Sequence, residues 1–172
     1  MRPWLIGVTV LLSGCASTMA EKEPLSAGAE LKDKDGKGVG VATLIETPDG
    51  LRIAVTGYHL PPGTHGLHIH AVGQCQPPDF TSAGGHWNPA GRQHGRLNPA
   101  GPHAGDLPNL VVARSGEGGI DVTTKAVTLE PGPNSLLAGK GTAIVVHAGP
   151  DDEKTDPTGN SGARIACGVI AP

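Results

Sequence analysis

The stretch Gly38-Val39-Gly40-Val41-Ala42-Thr43-Leu44-Ile45-Glu46-Thr47-Pro48-Asp49-Gly50-Leu51-Arg52-Ile53-Ala54-Val55 reads as strand, turn, strand. Val39, Val41, Thr43 and Ile45 recur with period two, as do Leu51, Ile53 and Val55, and alternate side chains of a strand share a face. Pro48-Asp49-Gly50 supplies the fixed φ and the freedom for positive φ that a tight connection needs. The rhythm returns at Ile120, Val122, Thr124 and at Ile144, Val146, with further turn clusters at Asp35-Gly36, 116–119 and 131–134. No helical period of useful length occurs. About eight strands are expected, near 28–34, 39–47, 51–58, 65–72, 109–113, 120–129, 142–148 and 164–170. They would close as an all-β antiparallel sandwich or barrel.

Two segments break this rhythm: 73–108, rich in Gly, Pro and His, and 149–163, rich in Asp and Gly. Loops that long in a compact domain usually carry function. The 172 residues allow one domain, and 27 glycines with 16 prolines, a quarter of the chain, fit many turns joining short strands. Thirteen basic residues stand against 16 acidic ones, with no Lys/Arg cluster interleaved with the few aromatics Trp4, Tyr58, Phe80 and Trp87. That argues against a nucleic-acid partner.

Residues 1–14 open with Met1-Arg2, run through an apolar stretch from Trp4 to Leu12, and end in Ser13-Gly14 before Cys15. The apolar run is too short to span a bilayer and has the length of a signal-peptide core. Leu12-Ser13-Gly14-Cys15 resembles the bacterial lipobox, which implies lipidation of Cys15, a tether over 15–27 and a domain over 28–172. The only membrane attachment expected is this lipid anchor. Ala16-Ser17 after the cysteine implies an outer-membrane or otherwise periplasmic lipoprotein of a Gram-negative cell. Cys75 and Cys167 then form an even pair in an exported chain, and a disulfide is expected between them.

Six histidines form one spaced series: His68-x-His70, then His86, His94, His103 with Asp106 three residues on, and finally His147. His68 and His70 lie two apart on an expected strand, so their rings point to one face and can share a metal. Three imidazoles and a carboxylate within one loop are a sufficient set for tetrahedral zinc. Taken singly, each of these residues has a bland alternative as a surface or core histidine.

Together they resemble the copper/zinc superoxide dismutase family across nearly all of 28–172. The resemblance rests on Gly63-Thr64-His65-Gly66-Leu67-His68-Ile69-His70, Gly85-His86-Trp87-Asn88-Pro89, Gln93-His94-Gly95, Pro102-His103-Ala104-Gly105-Asp106-Leu107, Val145-Val146-His147, and the run from Gly159 through Arg164 and Cys167 to Ile170. It implies an eight-stranded Greek-key barrel with one copper and one zinc per chain. Copper would be bound by His68, His70, His86 and His147, and zinc by His86, His94, His103 and Asp106, with His86 bridging the two. It further implies Asp151 as a carboxylate linking ligands of both metals, Arg164 as the anion-guiding arginine, Cys75–Cys167 as the family's disulfide and His65 as a structural brace. The implied activity converts superoxide to O₂ and H₂O₂, with His86 passing on a proton, as an extracytoplasmic defence. A metal-buffering module on the same barrel would need neither a bridging His86 nor Arg164. Monomer and homodimer both remain open. The 149–163 loop carries Asp151, Asp152, Glu153 and Asp156 against Lys154 alone, so steering by that loop is not expected; Arg92 and Arg96 in the other loop could compensate, and the steering residues stay open.

Overall fold

A computed structural model describes residues 23–172. The expected signal segment, Cys15 and most of the tether lie outside the described residues. Nine strands form: β1 (Ser26–Asp33), β2 (Gly38–Thr47), β3 (Gly50–Gly57), β4 (Gly63–His65), β5 (Leu67–His70), β6 (Leu110–Val112), β7 (Gly118–Thr124), β8 (Ala143–His147) and β9 (Arg164–Val169). All pairings are antiparallel, in the order β4-β6-β7-β3-β2-β1-β9-β8-β5. The first and last strands in that order are separated by Gly66 alone, so the sheet nearly closes on itself as a barrel.

Gly66 accounts for the count of nine where eight were expected. The run 65–72 does not continue as one strand, because Gly66 donates to the Gly149 carbonyl and accepts from His147 N–H, each at 2.8 Å. A Cβ at Gly66 would stand 2.7 Å from Ser161 Cβ. The expected strand 120–129 stops at Thr124. Beyond it, Thr128 Oγ1 and the Leu129 N–H turn to the Glu46 carboxylate in place of a ladder partner. Residues 125–142 thus form a third long loop, while β1 begins two residues earlier than expected, Ser26 pairing with Ile45.

Beyond Val39, which is buried in the core, the face of β2 also differs from the sequence reading. Gly40, Ala42 and Leu44 point inward, whereas Val41 is 45% exposed. The neighbours decide this. Across the β1 ladder Leu31 lies opposite Gly40 and Ala27 opposite Leu44, so large residues meet small ones inside a narrow barrel. In β3 the expected Leu51, Ile53 and Val55 do fill the core, with Leu67, Ile69, Leu110 and Ile144 from other strands.

The loop after β5 is laid along that strand. Trp87 N–H donates to the Ile69 carbonyl at 2.7 Å, and Ile69 N–H donates to the Gly105 carbonyl at 2.9 Å. His86 and Asp106 are thereby held beside His70 and His68 by backbone pairing. The disulfide Cys75–Cys167, with Cα atoms 5.6 Å apart, ties the same loop to β9.

Candidate metal centre

Two strands and two loops bring the histidine series together at one end of the barrel. His68 and His70 stand on β5, and His147 closes β8, which pairs with β5 through Leu67↔Val146 to His70↔Ala143. All three rings are buried, and burial lowers their pKa values to about 4 for His68, about 2 for His70 and about 3 for His147. At neutral pH they are uncharged imidazoles, each with one N–H and one bare lone pair.

Outer partners decide which nitrogen is bare. His68 Nε2 donates to Asp151 Oδ2 at 2.7 Å, His70 Nδ1 to the Gly84 carbonyl at 2.8 Å, and His147 Nδ1 to the Gly162 carbonyl at 3.1 Å. The bare atoms are therefore His68 Nδ1, His70 Nε2 and His147 Nε2. His68 Nδ1 and His86 Nε2 are buried without a hydrogen-bond partner, and His70 Nε2 and His147 Nε2 confront each other at 3.4 Å. Two lone pairs facing each other form no hydrogen bond. A cation between them satisfies both, and the ligand atoms of His68, His70, His86 and His147 all lie within 4.8 Å of one another. Four imidazole nitrogens are a donor set for copper.

On the other side of the His86 ring, Nδ1 lies 3.0 Å from Asp106 Oδ1, His94 Nδ1 lies 3.1 Å from it, and His103 Nδ1 3.3 Å. A tetrahedral site with ligands at 2.0–2.1 Å separates its donors by about 3.3 Å. His94 spends its Nε2–H on Asp151 Oδ1 at 3.0 Å, and Asp106 Oδ2 accepts the backbone N–H groups of Gly95 and His103, both at 2.9 Å. Three nitrogens and one carboxylate oxygen are left to converge, a closed N₃O set suited to zinc. His68, His86, His94 and Asp106 also lie close together, but the bare Nδ1 of His68 already belongs with His70 and His147, whereas His103 Nδ1 lies 3.3 Å from Asp106 Oδ1 and 3.4 Å from His86 Nδ1 and completes the second set. Burial opposes ionisation of Asp106, yet the His86 ring and the Gly95 N–H outweigh it and hold the carboxyl well below its usual range. Burial likewise opposes ionisation of Asp151, and its bonds from His68 and His94 prevail.

Arg164, at the start of β9, sits on the rim of a cleft of about 710 Å³ that reaches His70, His86 and His147. Its two terminal nitrogens donate to the Phe80 and Gly84 carbonyls at 2.6 Å. These carbonyls flank the 3₁₀ turn Thr81–Ala83, whose Phe80 and Ala83 pack with Cys75 and Cys167. Gly84 thus serves both His70 and Arg164, a link the sequence motifs did not reveal.

Other residues were missed or misjudged in the sequence. Asn109 grips the Asp151 backbone, its Nδ2 donating to the carbonyl at 2.9 Å and its Oδ1 accepting the N–H at 2.8 Å. Arg92 and Arg96, the candidates for steering, are engaged elsewhere: Arg92 on the Gly101 carbonyl and Arg96 in an ion pair with Glu153. Neither lines the cleft. His65 is a brace as expected, each ring nitrogen 2.8 Å from a carbonyl, of His147 and of Pro61.

Comparison with known proteins agrees with this geometry. The sequence profile described as copper/zinc superoxide dismutase (SODC) matches residues 39–170. The chain is 48% identical over 168 residues to superoxide dismutase [Cu-Zn] 2 of Aquifex aeolicus, covering 96% of this chain and 95% of that protein. It is 45% identical to superoxide dismutase [Cu-Zn] of Caulobacter vibrioides, covering 84% and 85%. Among solved structures it is similar to a SOD-like protein from Bacillus subtilis, with a TM-score of 0.81 and 40% identity over 84% of this chain and 97% of that one. With a family profile over most of its length and relatives this similar along nearly all of it, the chain belongs to the copper/zinc superoxide dismutase family.

Proposed function

We propose that His68, His70, His86 and His147 hold the copper of this dismutase and that His86, His94, His103 and Asp106 hold its zinc, one of each per chain. The observation that carries the reading is the set of lone pairs left bare inside the protein: His68 Nδ1 and His86 Nε2 without partners, and His70 Nε2 facing His147 Nε2 at 3.4 Å. When bound, copper supplies a one-electron couple that takes an electron from one superoxide and returns it to the next, while zinc supplies charge and a fixed frame.

The protein's own groups do the rest. Arg164, clamped by two carbonyls, presents a fixed positive charge and N–H donors to the anion at the cleft. His86 stands between the donor sets, Nδ1 toward Asp106 and Nε2 toward the cluster of His68, His70 and His147. It can hold a proton at Nε2 and deliver it to the reduced oxygen species, water giving the other. Two superoxide ions and two protons then leave as O₂ and H₂O₂. Asp151, bonded to His68 and His94 together, keeps both rings in the tautomers that the metals require.

Export belongs to the same reading: a signal over 1–14, a lipid on Cys15, and a tether from Cys15, of whose expected span 15–27 the last two residues belong to β1. An oxidised Cys75–Cys167 pair accords with an extracytoplasmic address. Decay of superoxide after pulse radiolysis tests the catalytic claim, using the copper- and zinc-loaded protein beside His147→Ala. The expected second-order rate lies near the diffusional ceiling that superoxide dismutases as a class reach, about 10⁸–10⁹ M⁻¹s⁻¹, and is lost in the variant. Decay no faster than the variant's, with both metals in place, would leave a metal-buffering module.

A further inference from the structure

Opposite the N₃O set, one carboxylate of the 148–163 loop reaches back across to the donors. Asp156 Oδ1 accepts the His94 backbone N–H at 2.5 Å and stands 3.7 Å from His103 Nε2. His103 turns its Nδ1 inward, toward Asp106 Oδ1 and His86 Nδ1. Among the described residues, Asp156 is the one charged group set against the other edge of that ring. A ligating histidine gains orientation and basicity when its second nitrogen faces a carboxylate. His68 and His94 have Asp151 in that place. His103 has Asp156.

Neighbouring contacts fix where Asp156 stands. Leu97 N–H donates to the Glu153 carbonyl at 2.9 Å, Asn98 Nδ2 to the Lys154 carbonyl at 3.3 Å, and Arg96 pairs with Glu153. Gly95 lies so tightly under this segment, at φ 101°, that a Cβ there would run into the Glu153 carbonyl. Residues 94–98 and 153–156 therefore dock as one unit, with Asp156 at the end nearest the donors.

We propose that Asp156 is a positioning residue of the N₃O set, holding His94 through its backbone and setting a negative charge against the His103 ring, and so setting the affinity for zinc. The inference rests on the assignment of that set to zinc. Asp156 lies outside the donor set itself, and its effect is read in metal binding, independently of turnover.

The test uses the full mature chain with its disulfide oxidised. Zinc affinity is measured by chelator competition, and Co(II), whose visible bands report tetrahedral N₃O coordination, serves as the spectroscopic probe. Asp156→Ala is expected to weaken zinc about 10- to 100-fold and to shift the Co(II) bands. Asp156→Asn, which keeps an acceptor for the His94 N–H and loses the charge beside His103, is expected to fall between. Arg96→Ala, which removes the surface pair with Glu153 and leaves the backbone bonds of the docked unit and both contacts of Asp156 in place, is expected to leave affinity and bands unchanged. An Asp156→Ala affinity within twofold of the unaltered protein would overturn the proposal, as would an equal loss in Arg96→Ala. Asp156→Asn matching the unaltered protein would remove His103 from it. Failure of the unaltered protein to take up one Zn²⁺ or to give tetrahedral Co(II) bands would instead remove the site on which it rests.

Discussion

The two donor sets share a ring but are built differently. His68, His70 and His147 stand on β5 and β8, whose ladders with each other and with β9 set the backbone positions of all three. His94 and His103 stand in a loop and are held by side chains and carbonyls from another loop: Asp151, Asp156 and Glu153. A strand-borne donor takes its position from sheet geometry, whereas a loop-borne donor needs partners assembled for it. The strand-borne half should therefore survive changes that dismantle the loop-borne half.

The largest effect that sharpens this contrast is acid. In the metal-free protein burial keeps the strand-borne rings neutral, with pKa values of about 4 for His68, about 2 for His70 and about 3 for His147. The unfolded chain protonates near the ordinary value of 6.5 and so binds more protons below that pH. Stability is thus fully present above pH 6.5 and is lost as pH falls toward the folded values, by about 1.4 kcal/mol per pH unit for each ring. Denaturant unfolding of the metal-free protein between pH 7 and 4.5 should show this slope, and the loaded protein, whose ligating rings take up protons only when unfolding releases the metal, should show one at least as steep. A metal-free stability that does not change with pH over this range would contradict it.

Next in size is the disulfide. Replacing Cys75 and Cys167 by Ser frees a connection 92 residues long, for which chain entropy predicts a loss of about 4–5 kcal/mol. Because Phe80 and Ala83 pack against that pair, Arg164 should lose its carbonyl seat as well. The measured rate on superoxide should then fall further than copper occupancy does.

Asp151→Ala is the sharpest discriminator between the halves, since Asp151 bonds His68 on one side and His94 on the other. His68 keeps its strand. Zinc affinity should drop about 10- to 100-fold and copper affinity by a smaller factor, both by chelator competition. A larger loss on the copper side would break the comparison.

The smallest expected effect concerns Arg96, whose exposed pair with Glu153 is worth less than about 1 kcal/mol. Arg96→Ala should leave the ionic-strength dependence of the dismutation rate unchanged, because Arg164 is the arginine on the cleft rim. A flattened salt profile would restore Arg96 to a steering role.

What the sequence made legible follows the same division. Period-two runs and ligand spacing are local signals, and they located most strands and picked out the residues that the fold gathers at one end of the barrel. The inward face of β2 was not legible, because Val41-Thr43-Ile45 and Gly40-Ala42-Leu44 are both plausible core faces. Leu31 and Ala27 on the neighbouring strand made the choice. Leu44→Ala should accordingly cost about 2–5 kcal/mol, and Val41→Ala within about 0.5 kcal/mol. Gly66 is a single residue inside an apparent strand, and its role as the barrel's closing point depends on Gly149 and Ser161 far along the chain. Asn109, Asp156 and the Gly84 carbonyl act through contacts that carry no spacing of their own. Asp156 in particular was grouped with the acidic residues of its loop, whose charge was legible and whose reach to His94, 62 residues away, was not.

The most direct test of the whole account is anomalous diffraction from crystals of the copper- and zinc-loaded protein, recorded on both sides of each metal's absorption edge. The account predicts one copper among His68 Nδ1, His70 Nε2, His86 Nε2 and His147 Nε2, and one zinc among the Nδ1 atoms of His86, His94 and His103 with Asp106 Oδ1. Copper in the N₃O set, a single metal position, or a His86 ring ligating neither ion would contradict it.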